Sequence, residues 1–433
     1  MDTRTIIGEY LAKTFLKLYE TKYDAVSFFT GSLKSETNYF RLLDTIISDP
    51  KPVRIDCGNY VFPLFYCSSN RDSQDISGLT MEELLVNAFM LQSGWQEIVL
   101  KTRDNHGRFP FRESLQSKFQ FNLIPVVNLI YREICLRINA TGNSCVPLKF
   151  SATGSNIVFS HDIDRLHSGW FESTGNLVKK PGPGKVIPWL KVSYNKFFKG
   201  IDDYEAGFDR SLQLLDKWGI KSVYFFLAER SKEDADYSLD EEFVRRAVDK
   251  LLDKGHLIGI HAGFFTFRND ALLKEQVRKA EDAFGKKIIH NRQHFLKFDL
   301  EKTPEVLVHS GIKYDYSLGF PESACLRNSI CTPFYLFDFS SFRSTDLVEI
   351  PLLFMDGTYS HYMKVTGEQM VNPLVDLVIN AQGINLNVSV LFHNTVFTDF
   401  KYKGFTGLFE SMAGFCVEMG FSTEAQVSWP RHL

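Results

Sequence analysis

From about residue 155 onwards, short apolar runs alternate with segments whose apolar residues recur at helical spacing. The runs predict strands at seven places, namely 157–160, 222–227, 257–260, 287–290, 312–316, 348–354 and 387–392. The intervening segments predict helices, several of which end at a glycine in the manner of a helix C-cap, for example 204–218 before Gly219 and 270–284 before Gly285. Repeated strand–helix units predict a parallel sheet covered by helices.

Seven such units in a row favour a (β/α) barrel over an open doubly wound sheet. No dinucleotide or phosphate-loop glycine fingerprint follows the first strand, as an open nucleotide-binding sheet would require. The residues before about 150 are less regular, with an apolar run at 60–66 and helical patterns at about 81–93 and 118–138. The segment 139–156 is rich in Asn, Gly, Ser and Thr and predicts a linker. We therefore expect an N-terminal α/β domain of unknown role (1–150) and a barrel domain (151–433).

Composition and charge narrow the possible functions. The 433 residues carry a net charge of −3, which argues against a nucleic-acid partner or a polybasic membrane role. The N-terminus does not read as a secretory signal, and no apolar stretch is long enough to predict a transmembrane segment. Seven scattered cysteines favour free thiols in a reducing compartment, so the expected location is cytoplasmic.

Polar residues cluster just past the predicted strands, at the end of a barrel where active sites are built. Each has an ordinary structural explanation when taken alone, but their repetition at one rim favours a shared site. The residues are Asp162, Asp164, His261, Arg292, His294, Asp315, Asp356 and His393. One carboxylate and two neutral imidazoles can hold a divalent ion. A second carboxylate can then remove a proton from water, and a further histidine can protonate a leaving amine.

Six segments in order resemble the polysaccharide deacetylases of carbohydrate esterase family four, in a bacterial branch with an extra N-terminal domain. They are FSHDIDR (159–165), GHLIGIHAGF (255–264), RQHFLKF (292–298), YDYSLGF (314–320), EIPLLFMDGT (349–358) and LFHN (391–394). FMLQSGWQE (89–97), RDNHGRFPFRESL (103–115) and PVVN (125–128) carry the resemblance of the N-terminal domain. The resemblance implies a distorted (β/α)7 barrel of the nodulation-deacetylase type and a metal-dependent hydrolase of carbon–nitrogen bonds.

Carried over to this sequence, the resemblance implies a role for each motif residue. Asp162 is the expected catalytic base, Arg292 orients it, and His393 is the expected general acid. Asp164 and His261 are expected metal ligands, although Ile163 separates two aspartates that the family has side by side. Asp315 and Arg327 are expected to line the sugar pocket.

One departure concerns the third metal ligand. The family has a second histidine four residues after the first, and Phe265 occupies that position here. We expect His294, two residues past Arg292, to replace it, with His290 and His161 as weaker candidates. The expected cofactor is one divalent ion, zinc above all, with cobalt, nickel or iron also compatible.

The segment 171–203 is an insertion between the first strand and its helix, and it is rich in lysine and aromatic residues. It reads either as a lid that stacks on sugar rings, with Trp189 contacting the substrate, or as a mobile surface loop.

Three hypotheses for function follow. The first is a deacetylase of N-acetylated sugars or saccharide precursors of surface polysaccharide, acting through metal-activated water with Asp162 as base and His393 as acid. The second is a sugar-binding or assembly protein that kept the barrel and lost catalysis. The third is another amide hydrolase or a glycosidase on the same barrel, with Asp162 and either Asp315 or Asp356 as the carboxylate pair.

Overall fold

The computed structural model describes residues 2–58, 60–68, 72–151, 154–363, 368–381, 383–398 and 404–426. The part before residue 150 is mainly helical. Its helices are α1 (Thr3–Leu18), α2 (Ala25–Gly31), α3 (Tyr39–Ser48), α4 (Met81–Ser93), α5 (Trp95–Leu100), α6 (Leu115–Lys118) and α7 (Val126–Ala140). Its strands are β1 (Tyr19–Thr21), β2 (Val53–Cys57), β3 (Tyr60–Leu64), β4 (Ser73–Asp75) and β5 (Cys145–Pro147).

The second part alternates strands and helices. The strands are β6 (Asn156–Ile163), β7 (Ser222–Leu227), β8 (Leu257–Ala262), β9 (His290–Gln293), β10 (Tyr314–Asp315), β11 (Phe334–Asp338), β12 (Arg343–Glu349), β13 (Leu352–Met355) and β14 (Asn387–Leu391). The helices are α8 (Gly169–Lys179), α9 (Pro183–Phe198), α10 (Asp203–Trp218), α11 (Glu242–Asp253), α12 (Asp270–Phe284), α13 (Thr303–His309), α14 (Asn372–Asn380) and α15 (Phe405–Glu418).

One large sheet organises this second part. Its strand order is β11-β12-β10-β9-β8-β7-β6-β14-β13, and every neighbouring pair is parallel except β11 with β12. Strands β12 and β13 stand near opposite ends of this order, yet only Ile350 and Pro351 separate them in the chain. The two ends of the sheet therefore meet, and the sheet curls into a barrel. The predicted α/β class with a curled, barrel-like sheet is confirmed. The sheet has nine strands among the described residues and not seven, because the run predicted at 348–354 is divided between β12 and β13 and because β11 was not predicted.

The two faces of the barrel strands pack differently. Inside the barrel lies an apolar cluster made of Val158, Val223, Phe225, Tyr316, Tyr335, Val348, Ile350 and Ala425. Residues on the opposite face of the strands join a much larger cluster under the helices. Because neighbouring residues in a strand point to opposite faces, this division determines which polar side chains can reach the cavity above the interior cluster.

The part before residue 150 packs against the barrel. Its buried side chains belong to the same apolar cluster as the helices around the barrel, and Lys13 in α1 forms an ion pair with Asp346 in β12. Strand β1 pairs antiparallel with β5, which returns the chain toward the barrel. The division into domains at residue 150 stays a prediction.

Many of the predicted helices and strands have the observed bounds, and several others differ. Helices α4 and α12 have the predicted bounds, but α1, α2 and α3 were not predicted. The strand predicted at 287–290 lies three residues later in β9, so Arg292 is inside the strand and not after it. The insertion at 171–203 consists mainly of the two helices α8 and α9. Within the described ranges, no helix combines the length and apolar composition needed to cross a bilayer.

Candidate metal centre and active site

A cavity of about 400 Å³ opens at the carboxyl end of the barrel strands. Six of the residues predicted at the shared rim line it, namely Asp162, Asp164, His261, His294, Asp356 and His393. The predicted residues Arg327, Asp315 and Trp189 are not among its lining residues. Three side chains offer ligand atoms within 4.8 Å of one another: Asp164, His261 and His294.

The two aspartates after the first barrel strand reach the cavity because of their spacing. Ser160, Asp162 and Asp164 alternate with His161 and Ile163 along β6 and its end. Side chains two residues apart in a strand share a face, so the intervening Ile163 places both carboxylates toward the cavity. The buried ring of His161 instead stacks on Tyr224, with its Nδ1 2.9 Å from the Phe392 carbonyl oxygen. Burial lowers the pKa of His161 to about 3.

The two candidate histidine ligands are fixed in matching orientations. The Nδ1 atom of His261 lies 2.8 Å from the carbonyl oxygen of Arg292, and that of His294 lies 2.9 Å from a carboxylate oxygen of Asp234. Both partners are acceptors, so each Nδ1 carries the proton. In a neutral ring Nε2 then keeps a free lone pair, which is the arrangement found in metal-binding histidines.

Both Nε2 atoms face Asp164. The distances to its carboxylate oxygens are 3.3 Å from His261 and 3.9 Å from His294. The Oδ1 atom of Asp164 is buried and makes no hydrogen bond, an expensive condition for a carboxylate unless a cation completes it. Burial would raise the pKa of Asp164, but His393, His261 and His294 together hold it well below its usual range. The donor set of one carboxylate and two imidazoles fits a divalent transition metal ion.

The pKa values of the two histidines shift in opposite directions. Burial opposes the charged form of His261, but the carboxylates of Asp162 and Asp164 raise its pKa. For His294, burial outweighs the effect of Asp234 and lowers the pKa, which favours the neutral ring that a metal ligand requires.

Asp162 lies deeper, between the candidate metal site and Arg292. One carboxylate oxygen is 3.6 Å from His261 Nε2, and the other, Oδ1, is 3.9 Å from Arg292 Nε and makes no hydrogen bond. The fully buried Arg292 guanidinium packs over the ring of Phe225 and donates to Ser160 Oγ at 2.8 Å. Asp162 is therefore a carboxylate with a cation beside it and an oxygen free to accept a proton.

His393 also borders Asp164. Its Nε2 is 3.6 Å from an Asp164 oxygen, and its Nδ1 donates to Asp356 Oδ1 at 2.6 Å. The backbone N–H of His393 also donates to Asp356, which fixes the ring. Burial opposes the charged form, but the carboxylates of Asp356 and Asp164 raise the pKa of His393 to about 10. The ring is therefore a proton donor at neutral pH.

The other predicted residues make contacts away from the cavity. Asp315 follows Tyr314, which packs against the interior cluster, so Asp315 points to the opposite face and bonds with Asn291 and Ser317. Arg327 is fully buried in a two-point ion pair with Glu97. Because these partners take up both side chains, we do not keep Asp315 and Arg327 as sugar contacts.

Trp189 and Phe265 also lie outside the metal cluster. The indole N–H of Trp189 donates to Thr174 Oγ1 at 2.9 Å and so joins α9 to α8. Trp189 is thus a contact inside the insertion and does not line the cavity, and its contact with substrate stays a prediction. Phe265 is 60% exposed and is not among the residues around the cavity, so His294 alone stands in the place of the missing histidine ligand. His290 is buried against Tyr314, and burial lowers its pKa to about 4.

Two residues of the site were not predicted. Asp234, in the polar loop after β7, accepts the hydrogen bond that orients the His294 ring. Its local sequence does not distinguish it from the neighbouring acidic residues as a site residue. Arg108 reaches the cavity from the N-terminal part, where it pairs with Asp104 and donates to the Phe295 carbonyl oxygen and to Tyr362 Oη. Arg108 lies in the motif at 103–115, which carries the resemblance of the N-terminal domain. That motif was the sequence signal by which Arg108 could have been predicted.

Comparisons with known proteins give one family-model match and a set of similar solved structures. A model of a family of unknown function (DUF7033) matches residues 16–141. No curated protein matches the chain. Among solved structures, the chain is similar to a protein from Mycobacterium smegmatis assigned to the polysaccharide deacetylases, at 14% identity over 62% of this chain and 86% of that one, with a TM-score of 0.38.

Two Bacillus structures are similar at the same level. A polysaccharide deacetylase from Bacillus cereus matches at 15% identity over 64% of this chain and 95% of that one, with a TM-score of 0.30. A pseudoenzyme of carbohydrate esterase family four from Bacillus anthracis matches at 12% identity over 62% of each chain, with a TM-score of 0.31. All three TM-scores are below 0.5, so the function proposed below rests on the side chains around the cavity and not on these similarities.

Proposed function

We propose that this protein is a metal-dependent amide hydrolase that removes acetyl groups from N-acetylated sugars or from saccharide precursors of surface polysaccharide. The observation that carries the proposal is the pair of Nε2 atoms of His261 and His294, both fixed through Nδ1 and both facing the carboxylate of Asp164, whose Oδ1 accepts no hydrogen bond. Asp162 and His393, the proposed base and acid, both border this cluster.

Asp164, His261 and His294 would hold the ion, with zinc the first choice and cobalt, nickel or iron compatible with the same donors. When bound, the ion would polarise a substrate carbonyl and make water a stronger acid. The cavity leaves room in front of these three residues for an acetamido group.

The remaining residues move and hold protons. Asp162 accepts the proton of the attacking water at the carboxylate oxygen that faces the candidate metal ligands, and Arg292 lies beside its other oxygen. His393 donates the proton on Nε2 to the departing amine, while Asp356 holds the ring through Nδ1. Asp162 borders the cluster at His261 and His393 borders it at Asp164, so a base and an acid both lie next to the candidate metal site.

The compartment in this proposal is cytoplasmic. All seven cysteines lie in the described ranges and all are free thiols, six of them buried, which supports a reducing environment.

The test is the metal content of the purified full chain, measured by elemental analysis and paired with acetate release from N-acetylglucosamine oligosaccharides. About one equivalent of ion, lost in His294→Ala, is expected. The matched control is His290→Ala, four residues earlier and also buried, which should keep its metal. Asp162→Asn should keep the ion and lose acetate release.

Two results would overturn the proposal. One is the absence of metal after loading with zinc, which would favour a sugar-binding or assembly protein on this barrel. The other is release of reducing sugar without acetate, which would indicate a glycosidase.

A further inference from the structure

The two helices inserted after the first barrel strand expose an apolar face. We call α8 and α9 together the helical hairpin (Gly169–Phe198). Nine of the 22 large apolar side chains that are exposed in the described part of the chain lie between residues 171 and 201. They are Phe171, Val178, Val186, Ile187, Leu190, Tyr194, Phe197, Phe198 and Ile201. A patch this concentrated is typical of an interaction surface.

The exposed residues of α9 follow a helical stripe. Ile187, Leu190, Tyr194 and Phe197 recur at three- and four-residue spacing, and they are 77%, 54%, 54% and 65% exposed. A stripe with this period normally faces a core. Here the stripe is largely exposed: Phe197 contacts the ring of Trp170 in α8, and more than half of the surface of each of the four side chains stays open to solvent.

The opposite side of the hairpin is firmly attached. The indole N–H of Trp170 donates to Ser193 Oγ and that of Trp189 donates to Thr174 Oγ1, each at 2.9 Å. Val192 is buried, and Lys196 forms an ion pair with the fully buried Asp202 at the start of α10. The hairpin is therefore held in an orientation that presents its apolar stripe to the surroundings.

Charge selects the kind of partner. Residues 169–201 contain six lysines and one glutamate, a net charge of +5. Since the whole chain has a net charge of −3, the remaining residues carry −8. Apolar and aromatic side chains bordered by lysines fit the interface of an anionic membrane. A second copy of this chain is a poorer partner, because a symmetric dimer would place +5 against +5.

The hairpin also borders the cavity of the candidate active site. Glu172, in the first turn of α8, lines that cavity, and its carboxylate accepts a hydrogen bond of 2.6 Å from Tyr204 Oη, another lining residue. A surface that holds the hairpin would therefore lie close to the cavity mouth.

We propose that the helical hairpin docks this protein on an anionic membrane surface, with its apolar stripe among the lipid headgroups. The hairpin lies on the bilayer without crossing it. A saccharide carried on a lipid is then the substrate class that this placement favours, a consequence that rests on the proposed deacetylase function.

The test is flotation of the full chain with vesicles. Vesicles of equal parts phosphatidylcholine and phosphatidylglycerol should carry the protein upwards, and the fraction that floats should fall at high salt. With vesicles of pure phosphatidylcholine, a far smaller fraction of the protein should float. The double variant Ile187→Ser/Phe198→Ser should reduce binding to the mixed vesicles by about tenfold or more. Both side chains are more than three-quarters exposed, so the unfolding temperature should not change.

The matched control is Leu136→Ser/Val417→Ser, which removes two apolar side chains, each 56% exposed, from other helices. It should bind the vesicles as the unmodified chain does. The proposal is overturned if the unmodified chain does not float, or if the control loses as much binding as the hairpin variant. It is also overturned if the hairpin variant converts a dimer to a monomer while neither form binds vesicles, because the stripe would then be a self-association surface.

Metal content and acetate release from a soluble oligosaccharide separate this inference from the proposed function. A chain that holds metal and releases acetate but does not float contradicts the membrane inference alone. A chain that floats but neither holds metal nor releases acetate contradicts the proposed function and, with it, the lipid-borne substrate.

Discussion

The Glu97–Arg327 pair and the cluster of Asp164, His261 and His294 are both buried charges, and they differ in how their polar atoms are used. Arg327 donates to both Glu97 oxygens and to the carbonyl oxygen of Gly319. In the second group, Asp164 Oδ1 accepts no hydrogen bond, and the Nε2 atoms of His261 and His294 face the Asp164 carboxylate. A fully paired charge holds two parts of the chain together, whereas an incompletely paired carboxylate is suited to bind a cation.

The largest expected effect comes from breaking the complete pair. Arg327→Met leaves Glu97 charged and buried, and it should lower the free energy of unfolding by about 3–5 kcal/mol in urea titrations. The matched control is Asp346→Asn, which removes the exposed pair with Lys13 between the same two parts and should cost less than about 1 kcal/mol. If the two variants lost the same free energy of unfolding, the buried pair would contribute no more to stability than the exposed pair.

A second prediction concerns the acid side of the open cluster. In the unmodified chain, the Asp356 carboxylate holds the His393 ring and raises its pKa. Asp356→Asn removes this carboxylate, so the His393 ring loses its proton more readily. Acetate release should fall by about 100-fold or more while metal content stays the same. Asp376→Asn, on the exposed side of α14, should change neither quantity. An unchanged rate in Asp356→Asn would remove His393 as the acid.

A third prediction concerns Asp234, the residue that fixes the His294 ring and that was not predicted from the sequence. Asp234→Asn weakens the hydrogen bond that fixes the ring with Nε2 toward Asp164. Metal affinity measured against a competing chelator should fall by about 10–100-fold. Glu233→Gln, one residue earlier, should keep the affinity of the unmodified chain. If Asp234→Asn also kept it, the orientation of His294 would not depend on this carboxylate.

The smallest effect concerns a histidine that is fully paired. His167 lies 3.2 Å from Glu205 and 2.6 Å from Glu241. Its hydrogen bond to Glu205 raises its pKa to about 9 against the opposing effect of burial, and Glu241 adds to the increase. A raised folded-state pKa stabilises the fold below the unfolded value of about 6.5, and the stabilisation is lost as the pH rises through about 9.

His167→Gln should therefore lower the free energy of unfolding near pH 6 by about 1 kcal/mol. The expected loss is this small because His167 is partly exposed and solvent screens its charge. The difference from the unmodified chain should disappear near about pH 10. Urea unfolding at both pH values is the measurement. A difference that stays constant across this range would show that the charge of His167 does not contribute.

Much of the barrel could be predicted from the sequence because apolar periodicity is a local property. Helix α12 and strand β7 have their predicted bounds. The shift at β9 has a physical reason. Residues 287–290 are apolar enough to read as a strand, but pairing with β8 and β10 uses His290–Gln293. Arg292 thus lies within the strand and points into the barrel, a position normally filled by an apolar residue.

The candidate site was predicted in part. Asp162, Asp164, His261, His294 and His393 meet at one cavity, since the carboxyl ends of parallel strands share one edge of the sheet. Asp315 was placed at the same rim from its sequence position, but the face to which it points depends on one residue of register.

The sequence by itself determined the order of strands and helices and the residue types at their ends, because these follow from local periodicity and capping. Only the tertiary structure decided which atoms of those residues are left free. Asp234 fixes His294 from 60 residues away, and Glu97 occupies Arg327 from 230 residues away. Hydrogen-bond partners at such separations are set by packing, so the difference between a structural charge and a binding charge emerges only in the folded chain.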